Sequence, residues 1–163
     1  MGSDHHAYRR WMSVVLYAAA AYNVLWGLTV ILLPSFLFEL ARMAPPNYPE
    51  LWQCIGMMVG VYGLGYAVAA ANPRRHWPIV LVGLLGKILG PIGFLHAAWQ
   101  GRLPWVAGLT ILANDVAWWL PFALILDVVR REAASTRRRP LAVSQTAATL
   151  QVPQASVTSG RRP

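Results

Sequence analysis

The sequence predicts an all-α integral membrane protein, a bundle of four helices that cross the bilayer up, down, up and down. Of its 163 residues, 56% are hydrophobic and only 12% are charged, and the mean hydropathy is +0.43. A typical soluble domain has about 25% charged residues. The apolar residues are also collected into four blocks, each long enough to cross a hydrocarbon core of ~30 Å at ~1.5 Å per residue.

The four predicted spans are separated by residues that end helices. Pro34 ends the first span, and the segment 35–43 is predicted to form a short helix in the membrane interface. The other connections, at 72–76 and 100–104, are tight turns, and such short loops force neighbouring helices to run antiparallel. The predicted spans are 11–33, 52–71, 77–99 and 105–127.

The distribution of charge predicts the topology. The net charge is +8, and only Arg42 and Arg102 among the arginines fall on one side of a four-span arrangement. This positive-inside pattern places both termini in the cytoplasm. The arginines on that side are expected to bind anionic lipid headgroups rather than nucleic acid. They include Arg74, Arg75, Arg130, Arg131, Arg137, Arg138 and Arg139.

Composition divides the chain into three parts. Residues 1–10 are predicted to form a cytoplasmic N-terminus, and residues 11–130 the transmembrane domain. Beyond that point the sequence is rich in Ala, Ser, Thr, Gln, Pro and Arg without helical periodicity. Such a segment lacks the apolar surface to form a core. The sequence therefore predicts that residues 131–163 are a disordered cytoplasmic tail.

Three polar residues fall near the middle of three different spans, namely Asn23, Lys87 and Asp115. An ionisable group at this depth is costly, so it usually faces a partner or a wet cavity and marks a functional site. If the spans pack side by side, the three groups meet at one level. The sequence therefore predicts a Lys87–Asp115 ion pair.

Two prolines predict further unpaired polar groups near this site. Proline has no amide hydrogen for the carbonyl four residues before it. Pro91 therefore frees the carbonyl of Lys87, and Pro121 frees that of Ala117. Freed carbonyls at membrane depth require a side chain or water as a partner.

Aromatic residues near the three polar groups complete the predicted site. Most tryptophans, Trp52 included, fall at the ends of the spans and are assigned to the interfacial aromatic belt. Trp26, Trp118 and Trp119 lie deeper. The candidate ligand-binding or polar-site residues are Asn23, Trp26, Tyr62, Lys87, Asn114, Asp115 and Trp118.

Glycines predict which helix faces meet. Gly83, Gly86, Gly90 and Gly93 recur along one face of the third span. Because small residues let helices approach closely in lipid, this face is expected to pack against the second span. Lys87 belongs to the same face and should point into the bundle.

Known cofactor and metal motifs are missing from the sequence. Cys54 is the single cysteine, which excludes an intramolecular disulfide, a CxxC redox pair and a four-cysteine metal site. The histidines have no metal-ligand spacing. No cofactor or metal is predicted, and no catalytic residue is assigned.

Several motifs carry a resemblance to a known family. They are found at residues 22–34, 47–49, 56–66, 75–87 and 114–122, within a stretch from about 17 to 126. The sequence resembles small bacterial four-span membrane proteins that are sometimes labelled alkyl hydroperoxide reductase. This resemblance implies the bundle architecture and a bacterial inner membrane, and it implies no reaction. The label itself would require a cysteine pair or a dinucleotide fingerprint, and the sequence has neither.

Three function classes stay open. The sequence favours a non-enzymatic membrane protein, either an accessory subunit or a binder of a small apolar ligand. The second class is a membrane-embedded enzyme that uses Asp115 and Lys87 as acid–base partners on a lipid, quinone or isoprenoid-like substrate. The third is a small proton-coupled transporter assembled from several chains, and homo-oligomers are compatible with all three. A purely structural role for the Lys87–Asp115 pair is a further alternative.

Overall fold

The architecture is all-helical over the residues that are described. The computed structural model describes residues 2–150, with side chains at 10–135. Its α-helices are α1 (Gly2–Leu32), α2 (Phe36–Leu40), α3 (Pro49–Ala71), α4 (Trp77–Trp99), α5 (Gly108–Ile111) and α6 (Ala117–Leu150). The short helix α2 occupies the segment that the sequence assigns to the membrane interface.

Four stretches are long and apolar enough to cross a bilayer, and the predicted fold class is confirmed. They are Arg10–Leu32, Pro49–Ala71, Trp77–Trp99 and Trp105–Ser135. Many leucines on these helices are exposed, for example Leu25, Leu64 and Leu89. Apolar side chains on the outside are expected where the surrounding medium is lipid. The chain is therefore a multi-pass membrane protein whose outer surface contacts the bilayer.

The fourth span is not one continuous α-helix. It begins with a 3₁₀ turn at Trp105–Ala107, passes through α5, and then forms a π-helical segment at Leu112–Val116 before α6. Such π segments carry an extra residue in the turn and are often found at functional sites. This segment contains both Asn114 and Asp115.

The closest backbone approach is between α1 and α3. A Cβ atom placed on Gly27 would lie 2.6 Å from the carbonyl oxygen of Gly56, and one on Gly63 would lie 2.9 Å from that of Ala20. Gly56 and Gly63 of α3 therefore serve contact with α1, whereas Gly65 faces Ile79 of α4. Without a hydrophobic force between helices in lipid, small residues of this kind allow close packing.

The glycine face of α4 contacts α3 less than the sequence predicts. Only Gly83 faces α3, where the Tyr66 ring lies against it. Gly90 faces the carboxylate of Asp115, and a Cβ on Gly86 or Gly93 would have no neighbouring atom within 4 Å. The expected packing of this face on the second span is therefore wrong at these three glycines: Gly86 and Gly93 border open space, and Gly90 faces the fourth span.

The hydrophobic core occupies one half of the bundle. This packed half surrounds the 72–76 turn, and its fully buried members come from all four spans. They are Met12, Leu16, Ala19, Ala20, Tyr66, Ala69, Ala70, Val80, Phe122 and Ile125. The other half, toward the 33–48 and 100–104 connections, contains two cavities, and we call it the open half.

The chain divides after Val129, and the bundle is the first of its two units. Helix α6 continues beyond that point to Leu150, into the segment for which the sequence predicts disorder. Its Ala, Arg, Leu and Gln residues all have high helix propensity. Residues 151–163 lie outside the described residues. The division into a cytoplasmic N-terminus, a transmembrane domain and a disordered tail stays a prediction.

Candidate functional site

Lys87 and Asp115 lie side by side in the interior of the bundle. Lys87 Nζ is 3.9 Å from Asp115 Oδ1, and the two residues are 5% and 6% exposed. Lys87 extends from the glycine face of α4, and Asp115 from the π segment of the fourth span. The two turns that connect the second, third and fourth spans bring these helices together, because they are too short for any but an antiparallel arrangement.

Asn114 joins the two charges. Lys87 Nζ donates a hydrogen bond to the main-chain carbonyl oxygen of Asn114. The side-chain amide of Asn114 donates in turn to Asp115 Oδ1, at 3.0 Å. Each charged group therefore has a polar partner besides the other charge, which offsets part of the cost of burying them.

Two adjacent tryptophans surround Lys87. The Lys87 ammonium lies 6.0 Å from the centroid of the Trp118 ring, within the range of a cation–π contact. Trp119 Nε1 donates a hydrogen bond of 2.9 Å to the main-chain oxygen of Lys87. This is the carbonyl that Pro91 deprives of its usual helical donor.

Asn23 lies on α1 and is 2% exposed. Its Nδ2 has no hydrogen-bond partner among the described residues. The same holds for three other buried atoms, namely Asn114 Oδ1, Trp52 Nε1 and Trp118 Nε1. Leaving a buried polar atom unpaired costs about 1–3 kcal/mol, so sites that retain such atoms usually pair them with a ligand or with water.

An inner cavity of about 320 Å³ opens beside these groups. Its lining includes six of the seven candidate site residues that the sequence predicts. They are Asn23, Trp26, Tyr62, Lys87, Asn114 and Asp115. The seventh, Trp118, packs on Tyr22 with ring centroids 5.8 Å apart and reaches the site through its contact with Lys87.

An outer cavity of about 310 Å³ adjoins the inner one. The two share four lining residues, which are Trp26, Trp52, Thr110 and Ile111. The remaining walls of the outer cavity are mostly apolar and include Leu37 and Phe38 of α2 and Phe94 of α4. Helix α2 therefore forms part of the wall of an apolar space next to the polar groups.

The glycine face of α4 forms one wall of both cavities. Gly83, Gly86 and Gly90 line the inner cavity, and Gly93 lines the outer one. Since a side chain at Gly86 or Gly93 would project into empty space, the absence of side chains here creates volume. Gly86 and Gly93 therefore shape cavities, whereas Gly83 also contacts Tyr66 of α3.

Trp52 is the principal lining residue that the sequence assigned to another role. It was expected in the aromatic belt, but its ring packs edge-on against Trp26 at 5.8 Å and Phe38 at 5.2 Å. Its position was a usable signal, because residue 52 precedes Gly56 by four positions and so shares its inward helix face. Thr110 was not singled out either, and nothing in its sequence context would have identified it.

Comparison with known proteins gives one distant similarity. The chain is 28% identical over 110 residues to a protein of Cupriavidus pinatubonensis (strain JMP 134 / LMG 1197) named disulfide bond formation protein B. The alignment covers 59% of this chain and 67% of that protein. No family model matches the sequence. No solved structure matches the fold.

Proposed function

We propose that this protein is a non-enzymatic membrane bundle that binds a small apolar molecule in the inner cavity, beside Lys87 and Asp115. One observation carries the proposal: a cavity of about 320 Å³ whose wall contains buried polar atoms without partners. Ligand sites in proteins are typically concave and mostly apolar, with a few polar groups that fix orientation. The inner cavity has this character and lies at the level of the membrane interior.

A purely structural role would account for less of the site. A Lys87–Asp115 pair that only fixed helix register would need neither the adjoining volume nor the unpaired amide of Asn23. The packed half already supplies a continuous core that holds the four spans together. The glycines of α4 also make space where larger residues would have filled it, which supports a binding role.

Binding is favoured over acid–base catalysis by the contacts of the two charged groups. Lys87 Nζ is held by the Asn114 carbonyl, and one carboxylate oxygen of Asp115 is held by the Asn114 amide. A general acid or base must reach the proton it transfers. These fixed contacts suit a group that orients a ligand better than one that exchanges protons with it.

The named activity of the distant relative is not carried over to this chain. Disulfide formation joins two thiols through exchange between sulfur atoms. The sequence has one cysteine, Cys54, which is exposed on α3. The similarity to that protein and the resemblance to small bacterial four-span proteins both support a membrane bundle, and the cavity supports the binding role.

The placement in the membrane is part of the proposal. The arginine distribution supports a bacterial inner membrane location with both termini in the cytoplasm. In this orientation Arg74 and Arg75, which are exposed at the turn between α3 and α4, would contact anionic headgroups of the inner leaflet. The open half and α2 would then lie toward the external side.

The test is whether a molecule co-purifies with the protein and depends on the cavity. The wild type, Gly86→Leu and the control Leu89→Phe would be purified in one detergent and their lipid extracts compared by mass spectrometry. Gly86 lines the inner cavity, so a leucine there would reduce its volume, whereas Leu89 is exposed on the same helix and lines neither cavity. We expect one near-stoichiometric compound in the wild type and the control that is lost from Gly86→Leu. Equal amounts in all three, or no compound above bulk lipid, would contradict the proposal.

A further inference from the structure

We infer that the ligand is a neutral lipophilic molecule with a carbonyl group at its buried end and an apolar chain that extends into the outer cavity. This inference rests on the proposed function and specifies the ligand's chemistry. It follows from three features of the cavities: the hydrogen-bonding character of the unpaired atoms, the balance of charge, and the four lining residues that the two cavities share.

The residues that line the inner cavity have buried polar atoms without partners, and these atoms are mainly donors. Asn23 Nδ2 on α1 and Trp52 Nε1 on α3 are both buried hydrogen-bond donors without a partner among the described residues. The Lys87 ammonium adds donor capacity, because it carries three hydrogens and only its contacts with Asn114 and Asp115 use them. Among the buried side-chain atoms described, the one unpaired acceptor is Asn114 Oδ1. A ligand that complements this wall must therefore supply acceptor oxygens.

The charges favour a neutral ligand. Lys87 and Asp115 lie 3.9 Å apart and balance each other. A carboxylate near Lys87 would also approach Asp115, and like charges repel strongly in a medium of low dielectric constant. A cation would meet the same problem at Lys87. A carbonyl oxygen accepts hydrogen bonds without adding charge.

The outer cavity accommodates the rest of the molecule. It meets the inner cavity along Trp26, Trp52, Thr110 and Ile111, and its other walls are largely apolar. Trp52 lies at the junction, with its ring against Trp26 and Phe38. A molecule with its carbonyl beside Asn23 would thus place its alkyl or ring system in the outer cavity, against Leu37 and Phe38 of α2.

The experiment compares three probes of equal chain length. 2-Undecanone, undecane and undecanoic acid would each be equilibrated with the full-length protein in lipid nanodiscs. The amount retained would be measured by mass spectrometry, with protein-free nanodiscs subtracted. A site built to hydrogen-bond a polar group rejects an analogue that lacks it. We therefore expect 2-undecanone to bind roughly tenfold or more tightly than undecane or undecanoic acid.

Matched variants locate the two ends of the ligand. Asn23→Leu and Trp52→Phe each remove a donor group. Leucine is close to asparagine in shape and phenylalanine keeps an aromatic ring, so both variants should reduce 2-undecanone binding toward that of undecane. Undecane retention reports that each variant is still folded. Gly93→Leu fills the outer cavity and should reduce binding of the ketone, whereas Leu89→Phe on the exposed side of α4 should not.

The outcomes separate the inference from the proposed function. Equal binding of the ketone and the alkane would overturn the carbonyl assignment and leave the apolar-ligand role in place. Tighter binding of undecanoic acid would overturn the neutral-ligand assignment alone. If the cavity-filling Gly86→Leu variant retained as much of every probe as the wild type, both the inference and the proposed function would fail.

Discussion

The indole Nε1 of Trp119, in the fourth span, donates a 2.9 Å hydrogen bond to the main-chain carbonyl oxygen of Lys87, in the third span. Pro91 removes the amide that this carbonyl would otherwise bind within α4. The bond therefore satisfies an acceptor that a helix at membrane depth cannot leave unpaired. It also fixes the position of Lys87 relative to the fourth span, which carries Asp115.

Trp119→Phe should destabilise the bundle by about 1–3 kcal/mol, because the Lys87 carbonyl loses its donor in a buried region. The measurement is the midpoint of thermal unfolding in detergent. Trp99→Phe is the matched control, since Trp99 is 85% exposed and the same change there should have little effect. Equal shifts for the two variants would show that the indole bond contributes nothing to stability.

Lys87→Met and Asp115→Asn should each destabilise the bundle by about 3–5 kcal/mol, because each leaves the other charge buried without its counterion. The double variant should recover much of this loss, since it contains neither charge. Unfolding midpoints of all four proteins form a double-mutant cycle. Additive losses would mean that the two charges, 3.9 Å apart, do not interact energetically.

Replacing a glycine by leucine should lower stability where the glycine lies in a tight helix contact, but not where it borders a cavity. Gly27→Leu and Gly56→Leu should each cost about 1–3 kcal/mol or more, because their Cβ positions fall within 3 Å of atoms of the facing helix. Gly86→Leu and Gly93→Leu should keep or raise stability, since their Cβ atoms meet no neighbour and glycine is a poor helix former by about 1 kcal/mol. Thermal unfolding of the four variants checks this, and a large loss at Gly86 or Gly93 would mean that the cavities close in solution.

Ser35→Cys in a Cys54→Ala background should react with a membrane-impermeant thiol reagent added to intact cells. Ser35 precedes α2, and the arginine distribution places this connection on the external side. The Cys54→Ala protein without the new cysteine is the control. Labelling that appears only after the cells are permeabilised would reverse the proposed orientation.

The fold and part of the site follow from one-dimensional properties of the chain. Span length is set by the thickness of the hydrocarbon core, so the apolar blocks are enough to predict four helices. The short turn at 100–104 places Lys87 and Asp115 on adjacent antiparallel helices. Proline chemistry is equally local, which is why the need for a donor at the Lys87 carbonyl is visible without a structure.

What each helix face meets was decided only by tertiary structure. Periodicity shows that Gly83, Gly86, Gly90 and Gly93 share a face, but a glycine face suits a tight helix contact and an open cavity alike. The sequence favoured the contact, but Gly86 and Gly93 border cavities, and Gly56 and Gly63 of α3 pack against α1. The identity of Trp119 as the donor to Lys87 depended on the same packing.

The sequence by itself determined the class of this protein, its spans and the polar residues at their centres. It could not determine the π segment around Asp115, the inward position of Trp52, or the two cavities. The physical reason is that burial cost and hydrogen-bond demand belong to single residues and their near neighbours. Cavity volume and hydrogen-bond partners depend on how several helices pack together. In lipid there is no hydrophobic force between helices, so the pattern of apolar residues alone does not predict that packing.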